Sequence, residues 1–246
     1  MSVRRQPEPT FADSPAVTRA GWERIGAIAG GLFALTQIAS ALASGMLRPG
    51  IGASVHTIVA YYSAHQTRAL VGDYVAAFGV FPLIWFLGGL RGALRRTEEI
   101  PGILSSVALA GGVTFAGVVL VSAAVDGGLA IGVENLGGDV GSVRALCDIA
   151  QLTRDVVAIP VAALVLATSL ASFAGQLLPR WLAWGGLGLA ALEIASSILV
   201  FSRGGGPAAV ARLGIPLLFA VWILDVSVSM FLRASAGSRR AVSLPG

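Results

Sequence analysis

The feature that most constrains this chain is a series of six long apolar runs that contain few charged residues. The runs cover residues 22–44, 69–94, 102–125, 156–178, 181–201 and 213–232. About 20 apolar residues in a helix cross a hydrocarbon core of about 30 Å. A single helix also satisfies its own backbone hydrogen bonds in lipid. The sequence therefore predicts an all-α fold, a polytopic membrane bundle of about six transmembrane helices.

The composition points to the same class of protein. Of the 246 residues, 55% are hydrophobic and 12% are charged, whereas a soluble domain carries about 25% charged residues. A chain so poor in charge cannot cover a water-facing surface, so we expect its outer surface to face the lipid bilayer. The basic residues are all arginines scattered near the ends of the runs, and this pattern does not predict nucleic-acid binding. The single cysteine, Cys147, excludes an internal disulfide.

The runs divide the chain into three parts. Residues 1–21 are polar and contain proline, and we expect a disordered N-terminal segment; 22–232 form the transmembrane domain, and 233–246 a short tail. The first run is too long for a cleaved signal peptide, whose apolar core has about 7–15 residues. Six spans place eleven arginines on the side of both termini and six on the other. Both termini are therefore predicted to be cytoplasmic, in the plasma membrane of a bacterium.

Two segments on the outer side are predicted to have structure of their own. Between residues 54 and 65, apolar residues recur at the spacing of one helix face: Val55, Ile58, Val59 and Tyr62. Ser54 is a suitable N-cap for this short amphipathic helix. Residues 126–141 form a glycine-rich loop, after which a helix begins at Ser142 with a polar face: Arg144, Asp148, Gln151 and Asp155.

Polar residues inside the runs are the first candidate site, and they comprise Gln37, Thr168, Glu193 and Asp225. An ionised carboxylate at the bilayer centre costs about 2.5–3.5 kcal/mol, so Glu193 is expected to face the bundle interior. One interpretation is hydrogen bonding between helices, typically worth about 0.6 kcal/mol each. The other is a path for a proton or solute. We favour the first interpretation.

Charged and polar residues near the outer face are the second candidate site: His65, Asp73, Asp126, Asp148, Arg154 and Asp155. They could line a pocket that opens outward. We favour a solvated ring of interfacial charges, because charge costs little at the membrane surface. His56 and His65 are nine residues apart and cannot share a helix face as a metal pair would, so no metal and no cofactor is predicted.

Small residues supply a third pattern. Gly26 and Gly30 form a GxxxG pair in the first run, and small residues let helix backbones approach closely. We expect this pair to pack within the chain. The alternative is contact with a second copy of the chain or with the helix of a membrane partner.

Four short segments carry a resemblance to a known family. The segments 61–65, 72–74 and 85–91, with the sequences YYSAH, GDY and WFLGGLR, resemble the second-span region of a family of bacterial six-helix membrane proteins. The segment 178–184, LPRWLAW, is similar to the short turn before the fifth span of that family. The family is common in actinobacteria and is catalogued as a domain of unknown function. The resemblance covers about residues 22–232 and implies a fold, but no activity.

The sequence lacks the common catalytic signatures GxSxG, GxxxxGK[ST] and a Rossmann glycine motif after a strand. We therefore predict a structural or accessory membrane component and no enzyme. The alternative is a small proton-coupled carrier that uses Glu193 and Asp225. A membrane-embedded enzyme is the weakest interpretation, since it requires His65 to converge with the outer acids.

Overall fold

The computed structural model describes residues 19–44, 48–97, 102–133, 140–199 and 207–242. These residues form helices, and the described part of the chain contains no strand. In chain order the helices are α1 (Arg19–Ser44), α2 (Val55–Leu94), α3 (Ile103–Gly132), α4 (Val140–Val156), α5 (Ala158–Gly175), α6 (Arg180–Leu199) and α7 (Pro207–Val242). The predicted all-α membrane bundle is confirmed. The predicted disorder of the N-terminal segment falls, up to residue 18, outside the described residues.

Among the described residues, five helical stretches are long and apolar enough to cross a membrane, and they match five of the six predicted runs. They are Gly21–Ala43, Val55–Leu94, Ile103–Gly132, Val140–Gly175 and Gly214–Ser235. The remaining run corresponds to α6, which packs against α5 and α7. Large apolar side chains such as Leu35, Phe81 and Leu218 are exposed on the outside of the bundle. This is the surface expected of helices that face lipid.

Helices α1 and α2 are antiparallel and in close contact. A Cβ atom on Gly26 would lie 3.0 Å from the Cα of Gly89. Further along both helices, the Ser40 hydroxyl donates a hydrogen bond of 2.7 Å to the carbonyl of Gly72. The start of α1 therefore lies beside the end of α2, and the glycines let the two backbones meet there.

The first and the last helix meet at one end of the bundle, where Arg24 Nη2 donates to the carbonyl of Ala234 over 3.5 Å. We call this the Arg24 end. The opposite end carries the connection between α1 and α2, and we call it the Arg48 end. Gly30 packs directly against the side chains of Ser227 and Phe86, which leave no room for a Cβ atom at this position. Gly26 and Gly30 are thus buried against other helices of the same chain, as expected. Contact of small-residue faces with a partner stays a prediction.

The predicted outer helix is continuous with the second span. Ser54 is its N-cap, and its hydroxyl accepts a hydrogen bond of 3.1 Å from the backbone N–H of Thr57. The backbone departs from helical geometry at His65, with φ −126° and ψ 17°, so α2 is kinked there. Before the kink, Ile58 and Tyr62 are buried in a small apolar cluster at the Arg48 end. The amphipathic segment therefore caps the bundle instead of lying on the membrane surface.

One predicted boundary is wrong. Helix α3 continues through Asp126 to Gly132, where the sequence predicted a loop from residue 126. The buried Leu129 and Ala130 supply packing that offsets the cost of two helical glycines, about 1 kcal/mol each. Helix α7 continues to Val242, so the first residues of the predicted tail from 233 are helical. Its last residues are rich in Arg and Ala, which favour a helix.

Candidate functional site

Charged side chains converge at the Arg48 end. Arg48 comes from the connection between α1 and α2, Asp73 from α2, Asp126 from α3 and Arg154 from α4. We call these four residues the charge cluster. Asp73, Asp126 and Arg154 each adjoin a long uncharged stretch of the sequence. The apolar stretches thus bring the charges to one level of the bundle when the helices pack.

Ion pairs connect all four members of the charge cluster. Arg48 Nη2 lies 2.7 Å from Asp73 Oδ1, and Arg48 Nη1 lies 3.0 Å from Asp126 Oδ2. Arg154 Nη1 pairs with the same Oδ2 atom of Asp126. The other oxygen of Asp126 accepts a hydrogen bond of 3.2 Å from the hydroxyl of Tyr62. Asp126 is therefore the centre of the cluster, and both of its carboxylate oxygens have partners.

The charge cluster is buried at its centre, and its most exposed member is Arg154, whose side chain is 26% exposed. The exposed fraction of the side chain is 2% for Asp126 and 13% for both Arg48 and Asp73. Buried ions are costly unless they are paired and hydrogen-bonded, and two arginines with two aspartates give a cluster without net charge. Burial alone would lower the pKa of Arg48, but its hydrogen bond to Asp73 and the charges of Asp126 and Asp73 raise that pKa above its ordinary value. Arg48 therefore stays charged.

A polar face of α4 extends the charge cluster. Arg154 Nη2 donates to Gln151 Oε1 over 3.1 Å, and Gln151 Nε2 donates to Asp155 Oδ1 over 3.2 Å. The spacing of three and four residues places these groups on one side of the helix. Gln151 and Asp155 of the predicted polar face are thus turned toward the cluster, whereas Arg144 is exposed.

The connection between α1 and α2 is also fastened to α4. The backbone N–H of Gly52 donates to Asp148 Oδ1 over 3.4 Å. The thiol of Cys147 is buried, and its sulfur lies 3.9 Å from the carbonyl oxygen of Pro49. This connection therefore covers α4 at the point where Arg48 enters the charge cluster.

The structure brings together most of the predicted outer-face residues. Asp73, Asp126 and Arg154 belong to the charge cluster, Asp155 joins it through Gln151, and Asp148 holds the covering connection. The predicted solvated ring is wrong for Asp126, which is 1% exposed, because the connection at 48–54 folds over it. Sequence analysis did not single out Arg48. Arg48 is the first charged residue after the apolar run 22–44, and this position at the end of a span could have marked it as a candidate.

His65 contacts Tyr61, one turn earlier on its own helix. Its Nδ1 atom lies 3.0 Å from the carbonyl oxygen of Tyr61, and its ring stacks on the Tyr61 ring at a centroid distance of 4.8 Å. Among the described residues, no three potential metal ligands come together.

The predicted intramembrane residues are placed on four different helices. Thr168 donates a hydrogen bond of 2.7 Å to the carbonyl of Leu164 on its own helix. Gln37 lies on α1 against α2, and its Nε2 atom is buried without a hydrogen-bond partner. Glu193 is buried on α6, and Asp225 is half-buried on α7. In the described part of the chain, no hydrogen bond or ion pair joins any two of these four residues.

Comparison of the chain with protein-family models, with curated proteins and with solved structures gives no match. The resemblance to a bacterial six-helix family therefore stays a prediction. The site has to be interpreted from its own geometry.

Proposed function

We propose that this protein is a structural or accessory component of a bacterial plasma membrane, with six crossings and with both termini in the cytoplasm. The observation that carries the proposal is the charge cluster. Its arginines and aspartates are paired with one another, so their charge is used to hold α2, α3, α4 and the connection at 48–54 together.

Contacts between the first and the last helix support an even number of crossings. Arg24 near the start of α1 touches Ala234 near the end of α7, so both lie at the same end of the bundle. Five stretches of the described residues are long and apolar enough to be spans. With α6 as the sixth span, the number of crossings is even. Arginines concentrate at the Arg24 end, and this supports a cytoplasmic location for it: Arg24, Arg91, Arg95, Arg96, Arg180 and Arg233.

The intramembrane polar residues favour the same interpretation. A carrier needs a continuous series of polar groups across the membrane. Thr168 bonds within its own helix, and Gln37 faces α2, whereas Glu193 lies on α6 between α5 and α7. Their separate placement supports a role in helix packing.

One observation favours a proton-coupled carrier as the second candidate. Glu193 is 5% exposed, and no ion pair to it forms within the described side chains. A buried carboxylate without a charged partner is the kind of group that exchanges a proton in membrane carriers.

Proton flux into reconstituted vesicles separates the two candidates. We expect vesicles that contain the protein and a pH-sensitive dye to leak protons no faster than protein-free vesicles, across a panel of solutes. We also expect Glu193→Gln and Asp225→Asn to leave expression and flux unchanged. A solute-dependent flux that Glu193→Gln abolishes, at unchanged expression, would replace the structural role with a carrier.

Cysteine labelling tests the orientation. In a Cys147→Ser background, Arg68→Cys and Arg95→Cys place a thiol at exposed positions of opposite ends of the bundle. An impermeant maleimide applied to intact cells should label the first and not the second. The reverse pattern would invert the proposed orientation.

A further inference from the structure

A groove lies on the outer surface of α1 and α2 at the Arg24 end, far from the charge cluster. Its volume is about 630 Å³, within the range of about 300–1,000 Å³ that is usual for small-molecule sites. It is lined by Trp22, Glu23, Ile84, Trp85, Gly88, Gly89, Gly92 and Arg96. The lining is apolar apart from Glu23 and Arg96, which are both charged.

Three glycines of α2 form the floor of this groove. Gly89 faces inward against Gly26 and lets α1 and α2 touch. Gly88 and Gly92 lie on the outer side, and a Cβ atom on either would meet nothing within 4 Å. The floor is therefore open along one turn of the helix, with room for an extended hydrocarbon chain.

Two tryptophans form the wall. The rings of Trp22 and Trp85 are nearly parallel, at 8°, with centroids 6.1 Å apart. They are 52% and 45% exposed. Tryptophan is enriched at the membrane–water interface, where the ring contacts both acyl chains and headgroups. The wall thus marks the groove as a surface at the level of the lipid headgroups.

Basic side chains surround the mouth. Arg96 lines the groove, is 48% exposed and pairs with Glu23. Arg91 and Arg95 follow Gly88 and Gly92 by three residues, so they lie on the same side of α2. Both are exposed. Among the described side chains at this mouth, three guanidinium groups therefore stand against one carboxylate, that of Glu23.

We propose that this groove binds an anionic phospholipid. One acyl chain lies on the floor of Gly88 and Gly92 beside the tryptophan wall, and the phosphate group binds Arg96, with Arg91 and Arg95 adding positive charge. Arginine binds phosphate oxygens through paired N–H donors. The charge at the mouth selects an anionic headgroup over a zwitterionic one. This inference goes beyond the proposed function and requires only that the chain spans a membrane.

Fluorescence quenching by brominated lipid reports on the site directly. The protein is reconstituted in phosphatidylcholine with a few per cent of brominated phosphatidylglycerol. The contribution of Trp22 and Trp85 is obtained as the difference from a Trp22→Phe, Trp85→Phe variant. We expect that contribution to be quenched more strongly than the bulk fraction of brominated lipid predicts, and we expect brominated phosphatidylcholine at the same fraction to give only bulk quenching.

Two pairs of variants test the floor and the mouth. Gly92→Leu fills the groove, while Gly117→Leu adds the same side chain at another open position on α3 and is the matched control. Only the first should abolish the excess quenching. Arg96→Gln should weaken binding about fivefold through loss of one charge, and Glu23→Gln should strengthen it by a similar factor.

Three results would overturn the proposal. Quenching in proportion to bulk lipid shows that no site exists, and equal quenching by the two headgroups shows that the mouth does not select charge. A concentration-dependent dimer that Gly92→Leu disrupts, without excess quenching, shows that a second copy covers the groove. Extraction of the protein by alkaline carbonate tests membrane residence separately, so failure of the proposed function is distinguishable from failure of the lipid site.

Discussion

The two ends of the bundle treat charge in opposite ways. At the Arg48 end, two arginines and two aspartates pair around Asp126, which is 2% exposed, while the outermost member, Arg154, is 26% exposed. At the Arg24 end, the described ion pair joins Arg96, 48% exposed, to Glu23, 22% exposed. The connection at 48–54 folds over the first end and removes its charges from water.

The difference shows that the path of a connection between helices decides how much an Arg–Asp or Arg–Glu pair contributes to stability. Exposed ion pairs are worth about 0–1 kcal/mol, because water and salt screen them. Removal of one partner from a buried pair costs about 3–5 kcal/mol, because the other charge is left without compensation. The ion pairs therefore stabilise the fold at the Arg48 end. At the Arg24 end, the charged side chains remain accessible to other molecules.

Asp126→Asn should have the largest effect on stability. The substitution keeps the shape of the side chain but leaves Arg154 without its ion pair and Arg48 with Asp73 alone. We expect a loss of about 3–5 kcal/mol in the free energy of unfolding, measured by SDS titration in mild detergent. The control is Asp148→Asn, whose carboxylate accepts from the backbone of Gly52. An equal loss in both variants would contradict a special role for the buried centre.

Arg48→Ala should have the next largest effect and should open the covering connection. The substitution leaves Asp73, 13% exposed, without its ion pair, and we expect a loss at the lower end of the range for buried pairs, about 3 kcal/mol. Cys147 lies beneath Pro49, so its reaction with a thiol reagent should accelerate. Arg68→Ala removes an exposed arginine of α2 and should change neither quantity. Unchanged labelling of Cys147 in Arg48→Ala would show that other contacts hold the connection.

Glu23→Gln should have the smallest effect. Its pair with Arg96 is partly exposed, so we expect a loss of about 0–1 kcal/mol by the same SDS titration. Addition of 1 M salt, at which the Debye length is about 3 Å, should abolish this difference. The loss in Asp126→Asn should persist at that salt concentration. If the loss of unfolding free energy in Glu23→Gln did not depend on salt, the contrast between an exposed pair at the Arg24 end and a buried cluster at the Arg48 end would be contradicted.

Periodic features of the chain could be predicted from the sequence. The apolar runs indicated the spans, and Ser54 with the apolar face of Val55, Ile58, Val59 and Tyr62 indicated a capped amphipathic helix. The polar face of α4 followed from the spacing of Arg144, Asp148, Gln151 and Asp155. These features depend on one helix at a time, and a helical period is visible in the residues themselves.

The partners within the charge cluster could not be predicted. Arg48 and Asp73 are 25 residues apart, and Asp126 and Arg154 are 28 apart, so no local period connects them. The helical spacing places Tyr62 on an apolar face, yet its hydroxyl donates a hydrogen bond to the Asp126 carboxylate. Burial of the aspartates depends on the path of the connection at 48–54, which carries no periodic signal. The length of α3 was missed because the packing of Leu129 and Ala130 outweighed the cost of the glycines near its end.

The position of the charge cluster has a consequence for the order of biosynthetic assembly. Asp73, Asp126 and Arg154 lie beside the uncharged stretches of their helices and not within them. In the inserted bundle these ions therefore lie at the ends of the spans and not at the centre of the hydrocarbon, where charge costs most. Because the four residues come from four separate parts of the chain, we expect the full set of ion pairs to form only after the helices have packed side by side.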